Sequence, residues 1–341
     1  MRCVVVGGGV AGCAAAVAAA EAGAEVTLLE AHGSLGGVAV QAEHRTICGC
    51  APLDAGQASL LEPELLGPWL ALVAIAAPFR RGRVWLWPCT PASWLAGLTR
   101  RLAQAGVKQR LGCVVRAAER TGQWRLGVDA DWLAADVVID ATGAGVVPQL
   151  LGHAMAPAAN WPAVRAQVQL SASCEGRQQR LRAMRSIAAV HTGAAALELL
   201  GSARYQLSLD CDPSWTSAQC RAAVQTVTDA LGAELLTCTG LIQRDGGRPA
   251  GGLGVDALFA CRERGLCWAA WPVEQHGPHG VTWHWPPRDR HGVPEDACQI
   301  AGLPDLWCVG RGMPLATDAA AALRVTGTAV AIGAAVGGRI A

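Results

Sequence analysis

The chain is poor in charge. Only 16% of its 341 residues are Asp, Glu, Lys or Arg, and these nearly cancel to a formal net charge of +1. Basic residues form no block, so nothing marks it for nucleic acid or an anionic membrane surface. Lys108 is the only lysine and lies in a polar stretch, which discounts Schiff-base chemistry. Tyr205 is the only tyrosine, so a tyrosine general acid has one candidate. The 14 cysteines contain no CxxC pair, no Cys/His zinc spacing and no iron–sulfur run. No metal is expected, and the thiols read as buried small hydrophobes of a cytoplasmic protein. The run Cys3–Ala20 carries no charge. Its glycines and alanines have little affinity for lipid and it closes at Glu21, so neither a membrane span nor a targeting role is expected.

Hydrophobic residues make up 52% of the chain, enough for a sizeable core in two domains or one large α/β domain with an insertion. Arg2–Val6 reads as a short buried parallel strand, Val10–Ala22 as an alanine-rich helix and Ala24–Glu30 as the next strand. Together they form a βαβ unit. From His32 to about Pro91 the pattern is irregular. Ser93–Ala105 looks helical, Val107–Arg116 and Trp124–Val128 look like strands, and DVVID at Asp136–Asp140 is another apolar strand. Residues 151–300 change character, with strand-like pieces (Arg165–Ser173, Tyr205–Leu209, Gly265–Pro272, Gly280–Trp285) around a helical Thr216–Leu231. LWCVG at Leu306–Gly310 is a last buried strand, before small-residue helices over Asp318–Val336. The expected architecture is α/β: a Rossmann-like domain from residues 1–150 and 301–341, with a parallel sheet, helices and a β-meander. A mixed, β-rich substrate domain at 151–300 is inserted into it, with 51–92 a possible contributor.

Gly7-Gly8-Gly9-Val10-Ala11-Gly12 fits G-x-G-x-x-G in the required context, with a strand before it and a helix after. Gly7 permits the tight turn, Gly9 lets backbone approach a pyrophosphate, and Gly12 lets helix and strand pack closely. The helix N-terminus offers free N–H groups and roughly half a positive charge to a diphosphate. Glu30 ends the second strand where an acid accepts hydrogen bonds from the adenosine ribose, which argues against a 2′-phosphate and so against NADP at this site. The loop alone does not separate NAD from FAD.

Four stretches resemble the glutathione-reductase-type FAD-dependent oxidoreductases, and within them a branch related to fumarate-reductase-like flavoproteins. The first is the βαβ unit with Glu30-Ala31 and the later Gly36-Gly37. The second is ADVVIDATGAG, containing Ala141-Thr142-Gly143, in which Ala144 replaces the family's acid or its neighbour. The third is RDGGRPAGGLG through WPVEQH, and the fourth LWCVGRGMPLATDAAAALRVTGTAVAIGAAVG. The first is shared by many families; the fourth is more specific. The resemblance implies non-covalent FAD, with Gly310-Arg311 beside its ribityl–phosphate region. Arg324 with Thr326, Gly327 and Thr328 would lie at the pyrimidine edge, and Val114 or Val115 would present backbone to the adenine. A plainer reading of TGTAVAIGAAVG is a tightly packed small-residue helix.

Flavin chemistry needs the protein to bind, orient and transfer protons. His276, two residues after Glu274 on one face if extended, is the first candidate acid–base, although a loop histidine near His279, His284 and His291 is an equal alternative. The spacing of those four fits no compact metal site. Arg248 matches the family's arginine and suits a carboxylate clamp. His44 and Cys48 in HRTICGC form a further candidate pair, with Cys48 as an activated thiolate facing the flavin. A Cys48–Cys50 disulfide is awkward, because alternate residues of an extended chain lie about 6.6–7.2 Å apart. The family does not supply these cysteines. The W-x-W pairs Trp85/Trp87 and Trp283/Trp285 suit either an aromatic pocket or, more simply, sheet packing.

The expected function is therefore FAD-dependent hydride transfer to or from an organic small-molecule substrate. Alternatives are a flavin monooxygenase using NAD(P)H and O2, with NAD(P)H docking transiently since no second NAD(P) domain is visible, or a flavoprotein maturation partner acting on a protein or peptide.

Overall fold

The computed structural model describes residues 1–170, 177–201 and 203–340. Two compact units emerge. The first comprises Met1–Ala158, Gly246–Val273 and His284–Ala341; the second comprises Ala159–Asp245 and Glu274–Trp283.

The first unit is a Rossmann-like α/β domain. Strand Arg2–Val6, helix Val10–Glu21 and strand Glu25–Glu30 form the expected βαβ unit. Their sheet has six strands in the order Gln299–Ile300, Leu303–Cys308, Val137–Asp140, Arg2–Val6, Glu25–Glu30 and Lys108–Leu111, parallel except at the Gln299–Ile300 edge. Successive residues of a strand face opposite sides, and here both sides are covered. Cys3 and Val5 join the helices' core, while Val4 and Val6 join one containing Trp124, Leu126 and Val128. Those last three residues belong to a three-stranded antiparallel meander, Val115–Arg120, Trp124–Val128 and Asp131–Ala135. On the other side, helix Val10–Glu21 lies directly against helix Thr326–Arg339. Their backbones are so close that a side chain at Gly333 or Gly337 would strike the carbonyls of Ala11 and Ala15. The alanine-rich composition is what permits that approach.

The second unit has a four-stranded antiparallel sheet in the order Ala195–Gly201, Arg204–Asp210, Ala163–Leu170 and Ala233–Cys238. Val168, Leu207 and Leu209 from the sheet form one core with Ile187 of helix Arg177–Val190 and Val224 of helix Ser217–Ala230. Thr216 starts the latter helix, with a reciprocal capping pair to Gln219. The unit's second segment, Glu274–Trp283, is most of the hairpin formed by strands Val273–Gly277 and Gly280–His284.

Several expectations shift. The strand expected over Val107–Arg116 is two strands, because Gly112 turns at φ 71° between Lys108–Leu111 in the main sheet and Val115–Arg120 in the meander. The strand expected over Gly265–Pro272 is only Cys267–Ala269. Of Arg165–Ser173, residues 171–173 lie outside the described residues. Residues 51–92 group with the first unit, where Trp69, Leu70 and Trp87 enter its main core, and so do 246–273 and 284–300. Both Trp85 and Trp87 pack into that core, and the Trp85 indole donates to the Ala55 carbonyl at 2.9 Å. Among the described residues no single helix is long and apolar enough to cross a membrane. The pair Thr317–Leu323 and Thr326–Arg339 meets the length and composition, but it bends by 93° and its residues lie largely in the core.

Candidate functional site

The sheet order changes direction at Arg2–Val6, whose neighbours on either side come from later in the chain. Such a switch point leaves a crevice at the carboxyl ends of the strands. A cavity of about 300 Å3 occupies that place in the first unit. The glycine loop supplies Gly7, Gly9, Val10 and Ala11; the second strand's end supplies Glu30, Ala31 and His32; Gly36 and Gly37 follow. Val115 lies in its wall with Cys113 and Val114, as do Ala141, Thr142 and Gly143, then Gly310, Arg311, Arg324 and Thr326. Segments some 300 residues apart in sequence thus converge on one crevice.

Gly7 has φ 112° and packs against the Ala141–Thr142 peptide. Gly12 is not in the wall, because it fills the contact between its helix and the Gly7 carbonyl. A side chain at Gly9, in contrast, would meet nothing within 4 Å, so the loop leaves open space at the start of helix Val10–Glu21. The Glu30 carboxylate is buried and accepts from the Gly8 N–H at 2.6 Å and the His32 N–H at 2.8 Å. Each of its oxygens keeps a further lone pair for a hydroxyl. Sequence reading missed Asp140. Fully buried, it accepts from the Thr142 N–H (2.9 Å), the Thr142 hydroxyl (2.6 Å) and the Val147 N–H (2.8 Å), and so shapes the ATG turn. Burial pushes its carboxyl pKa up, against the lowering effect of those hydrogen bonds. Gly246 and Gly247 were missed too. They lie against the carbonyls of Gly143 and Ala144 and fix the outer side of the same turn.

His44 lines the cavity, and its Nδ1 lies 3.3 Å from the Thr326 hydroxyl, joining HRTICGC to the start of helix Thr326–Arg339. Gln41 is a further wall residue that sequence reading did not single out. Gly327 and Thr328 are not in the wall. The Gly327 N–H donates to the Cys48 carbonyl at 2.9 Å, and the Thr328 hydroxyl is buried and donates to Gly49 at 3.4 Å. Cys48 likewise lies outside the wall, packed with Leu86, Trp271 and Val325. Cys50 is wholly buried, which drives its thiol pKa well up, and both cysteines are free thiols. Arg248 is buried. Its guanidinium donates to the carbonyls of Leu315 (3.1 Å) and Gly246 (3.5 Å) and to the Thr317 hydroxyl, tying those loops together away from the cavity wall.

His276 belongs to the second unit and is buried. The expected Glu274 partner is there, Oε1 lying 3.0 Å from Nε2, but Nδ1 is 2.7 Å from Asp210 Oδ2. The other Asp210 oxygen pairs with Arg244. The His276 backbone N–H donates to Asn160 at 2.8 Å, and Asn160 in turn donates to Asp245 at 2.7 Å. This network binds the hairpin segment to the rest of the second unit.

The profile of the FAD dependent oxidoreductase family matches residues 3–219. The chain belongs to this family. No curated protein matches it. Solved structures of similar fold include the Diels-Alderase PyrE3 of pyrroindomycin biosynthesis (11% identity, TM-score 0.52, 94% of this chain and 62% of that one). Others are the anhydrotetracycline hydroxylase OxyS from Streptomyces rimosus (14%, 0.52, 92% and 57%) and CabE, an aromatic hydroxylase of angucycline biosynthesis (14%, 0.51, 92% and 56%). At such identities the likeness is one of fold. The chain spans about three-fifths of the length of these proteins.

The cavity fits the family's cofactor. Open space beside Gly9 at a helix N-terminus suits a pyrophosphate, and the carboxylate of Glu30 suits ribose hydroxyls. Two arginines, Arg311 and Arg324, stand in the wall for further anionic groups.

Proposed function

We propose that the protein is an oxidoreductase that holds FAD non-covalently in this crevice and acts on an organic small molecule. The observation that carries the reading is the convergence of the glycine loop, Glu30, the ATG turn, Arg311 and Arg324 on one cavity. Bound FAD supplies the hydride chemistry that no side chain performs. The chain's own residues then bind and orient. Glu30 takes the ribose hydroxyls, and the helix N-terminus at Val10 takes the diphosphate. Arg311 and Arg324 offset negative charge, including that which a reduced flavin carries. We assign proton exchange to His44 Nε2, with the Thr326 hydroxyl at Nδ1 fixing the ring. Arg248 we assign to positioning the 313–317 loop, and His276 to holding the second unit together.

Purified protein should be yellow, release its flavin on acid precipitation and bleach when titrated anaerobically with a suitable donor. A colourless protein that takes up no FAD would sink the proposal. Two finer readings are separable. The four sequence stretches favour a glutathione-reductase-type, fumarate-reductase-like branch that exchanges hydride with its organic substrate. The hydroxylases among proteins of like fold favour an NAD(P)H- and O2-using hydroxylase, for which substrate-dependent oxygen consumption with NADH or NADPH is the discriminating measurement.

A further inference from the structure

Helix Gly37–Gln41 lines the crevice with Gly37, Val38, Ala39 and Gln41, and His44 follows it in the same wall. Its start is fixed on the glycine loop: the Gly36 N–H donates to the Gly8 carbonyl at 2.8 Å, and Gly37 lies against Gly9. Its end is closed by the two bonds of a Schellman turn. The Glu43 N–H donates to the Val40 carbonyl at 3.0 Å, and the His44 N–H to the Ala39 carbonyl at 3.1 Å. That turn needs a left-handed residue between Ala42 and His44, a place that glycine usually takes. Here it is Glu43, at φ 51°. Among the described residues only Glu43, Asp54, Asp129 and Ala203 have positive φ besides glycine, and Glu43 alone adjoins a residue of the crevice wall. A backbone conformation that sterics disfavour persists only where its surroundings hold it, and such places cluster at functional sites.

We propose that Glu43 is a positioning residue: its left-handed backbone, rather than its carboxylate, sets the His44 ring in the crevice opposite Thr326. The inference rests on the assignment of proton exchange to His44. The chain must turn from Gln41, the last residue of the helix, into strand Thr46–Ile47, which pairs with Val84–Pro88. An extended residue at 43 would break both turn bonds and carry the ring away from the Thr326 hydroxyl, now 3.3 Å from Nδ1. The Glu43 ion pair with Arg45, at 3.9 Å between partly exposed side chains, contributes little.

The test follows the His44 ring by nitrogen NMR of full-length, histidine-labelled protein as purified, its signals assigned by their loss in His44→Ala. One hydrogen-bonded tautomer is expected, and Thr326→Val should shift it. Glu43→Gly and Glu43→Asn both tolerate the left-handed conformation, so they should keep the native His44 signals although neither carries the charge. The branched Cβ of Glu43→Val opposes that conformation. This variant should move the His44 signals to those of a solvent-exposed imidazole, with the remaining histidines and the flavin absorbance unchanged. Unmoved signals in Glu43→Val, or signals in Glu43→Gly and Glu43→Asn that move as far, overturn the proposal. Should Glu43→Val fail to fold, Glu43→Ala decides in its place. Turnover is a second readout: Glu43→Val should lower kcat about a hundredfold, as loss of a general acid–base group does, and Glu43→Gly should rescue it. If His44→Ala turns over at the native rate, the proton-exchange assignment fails, and the ring signals alone decide the role of Glu43.

Discussion

Glu30 shows how one side chain serves both fold and ligand. It satisfies two backbone N–H groups of the loop and strand end while forming part of the cavity wall. Glu30→Ala strands both donors, at about 1–3 kcal/mol each, and removes the ribose acceptor. The dissociation constant for FAD, measured by fluorescence quenching of added flavin, should rise at least tenfold, with Glu30→Gln intermediate. His291 makes a prediction in pH. It is 1% exposed, packs 5.0 Å from Phe259, and burial lowers its pKa to about 4. The folded protein therefore favours the neutral ring. The stability this confers is complete above the unfolded pKa of about 6.5 and is lost as pH falls towards 4, about 3 kcal/mol in all. Chemical denaturation from pH 7 to pH 4 should show a steeper loss in the native protein than in His291→Phe. Residues such as Gly7, Gly9 and Glu30 were legible because their chemistry is local and their spacing fixed. Asp140 was not, since it reads as the end of an apolar strand until its three donors are seen.

Among elements, those with strong local signals were the legible ones. Thr90 and Ser93 cap helix Pro91–Gln104 within a residue or two of the expected start. Helix Pro63–Val73 was hidden by Pro63, Gly67 and Pro68, which read as loop, although Leu66, Trp69, Leu70 and Val73 bury one face. Contacts between distant elements were mostly invisible. The spacing predicted Glu274 beside His276, but nothing local announced Asp210, 66 positions earlier. His276→Ala should leave Asp210 and Glu274 without the ring between them, although Asp210 keeps Arg244, and cost about 1–3 kcal/mol, as a lost buried hydrogen-bond partner does, read as a lowered Tm. His44→Ala should leave Tm nearly unchanged and slow turnover instead. The opposite pattern would exchange the roles assigned to the two histidines.

At the scale of the molecule, the α/β class and most of the residues that line the crevice followed from motifs, whereas the grouping of residues 246–273 with the first unit did not. That grouping depends on backbone contacts of Gly246, Gly247 and Arg248 that leave little trace in composition. The long separations in the crevice also bear on assembly. The glycine-loop helix is made some 300 residues before the helix it rests on, Thr326–Arg339. Domains tend to fold as units during synthesis, and contacts of large sequence separation form slowly. While those intervening residues are made, the alanine-rich face of Val10–Glu21 therefore waits without this partner. The nascent first unit is then a natural client for chaperones, and a ligand of the crevice can act as a folding ligand only once helix Thr326–Arg339 arrives.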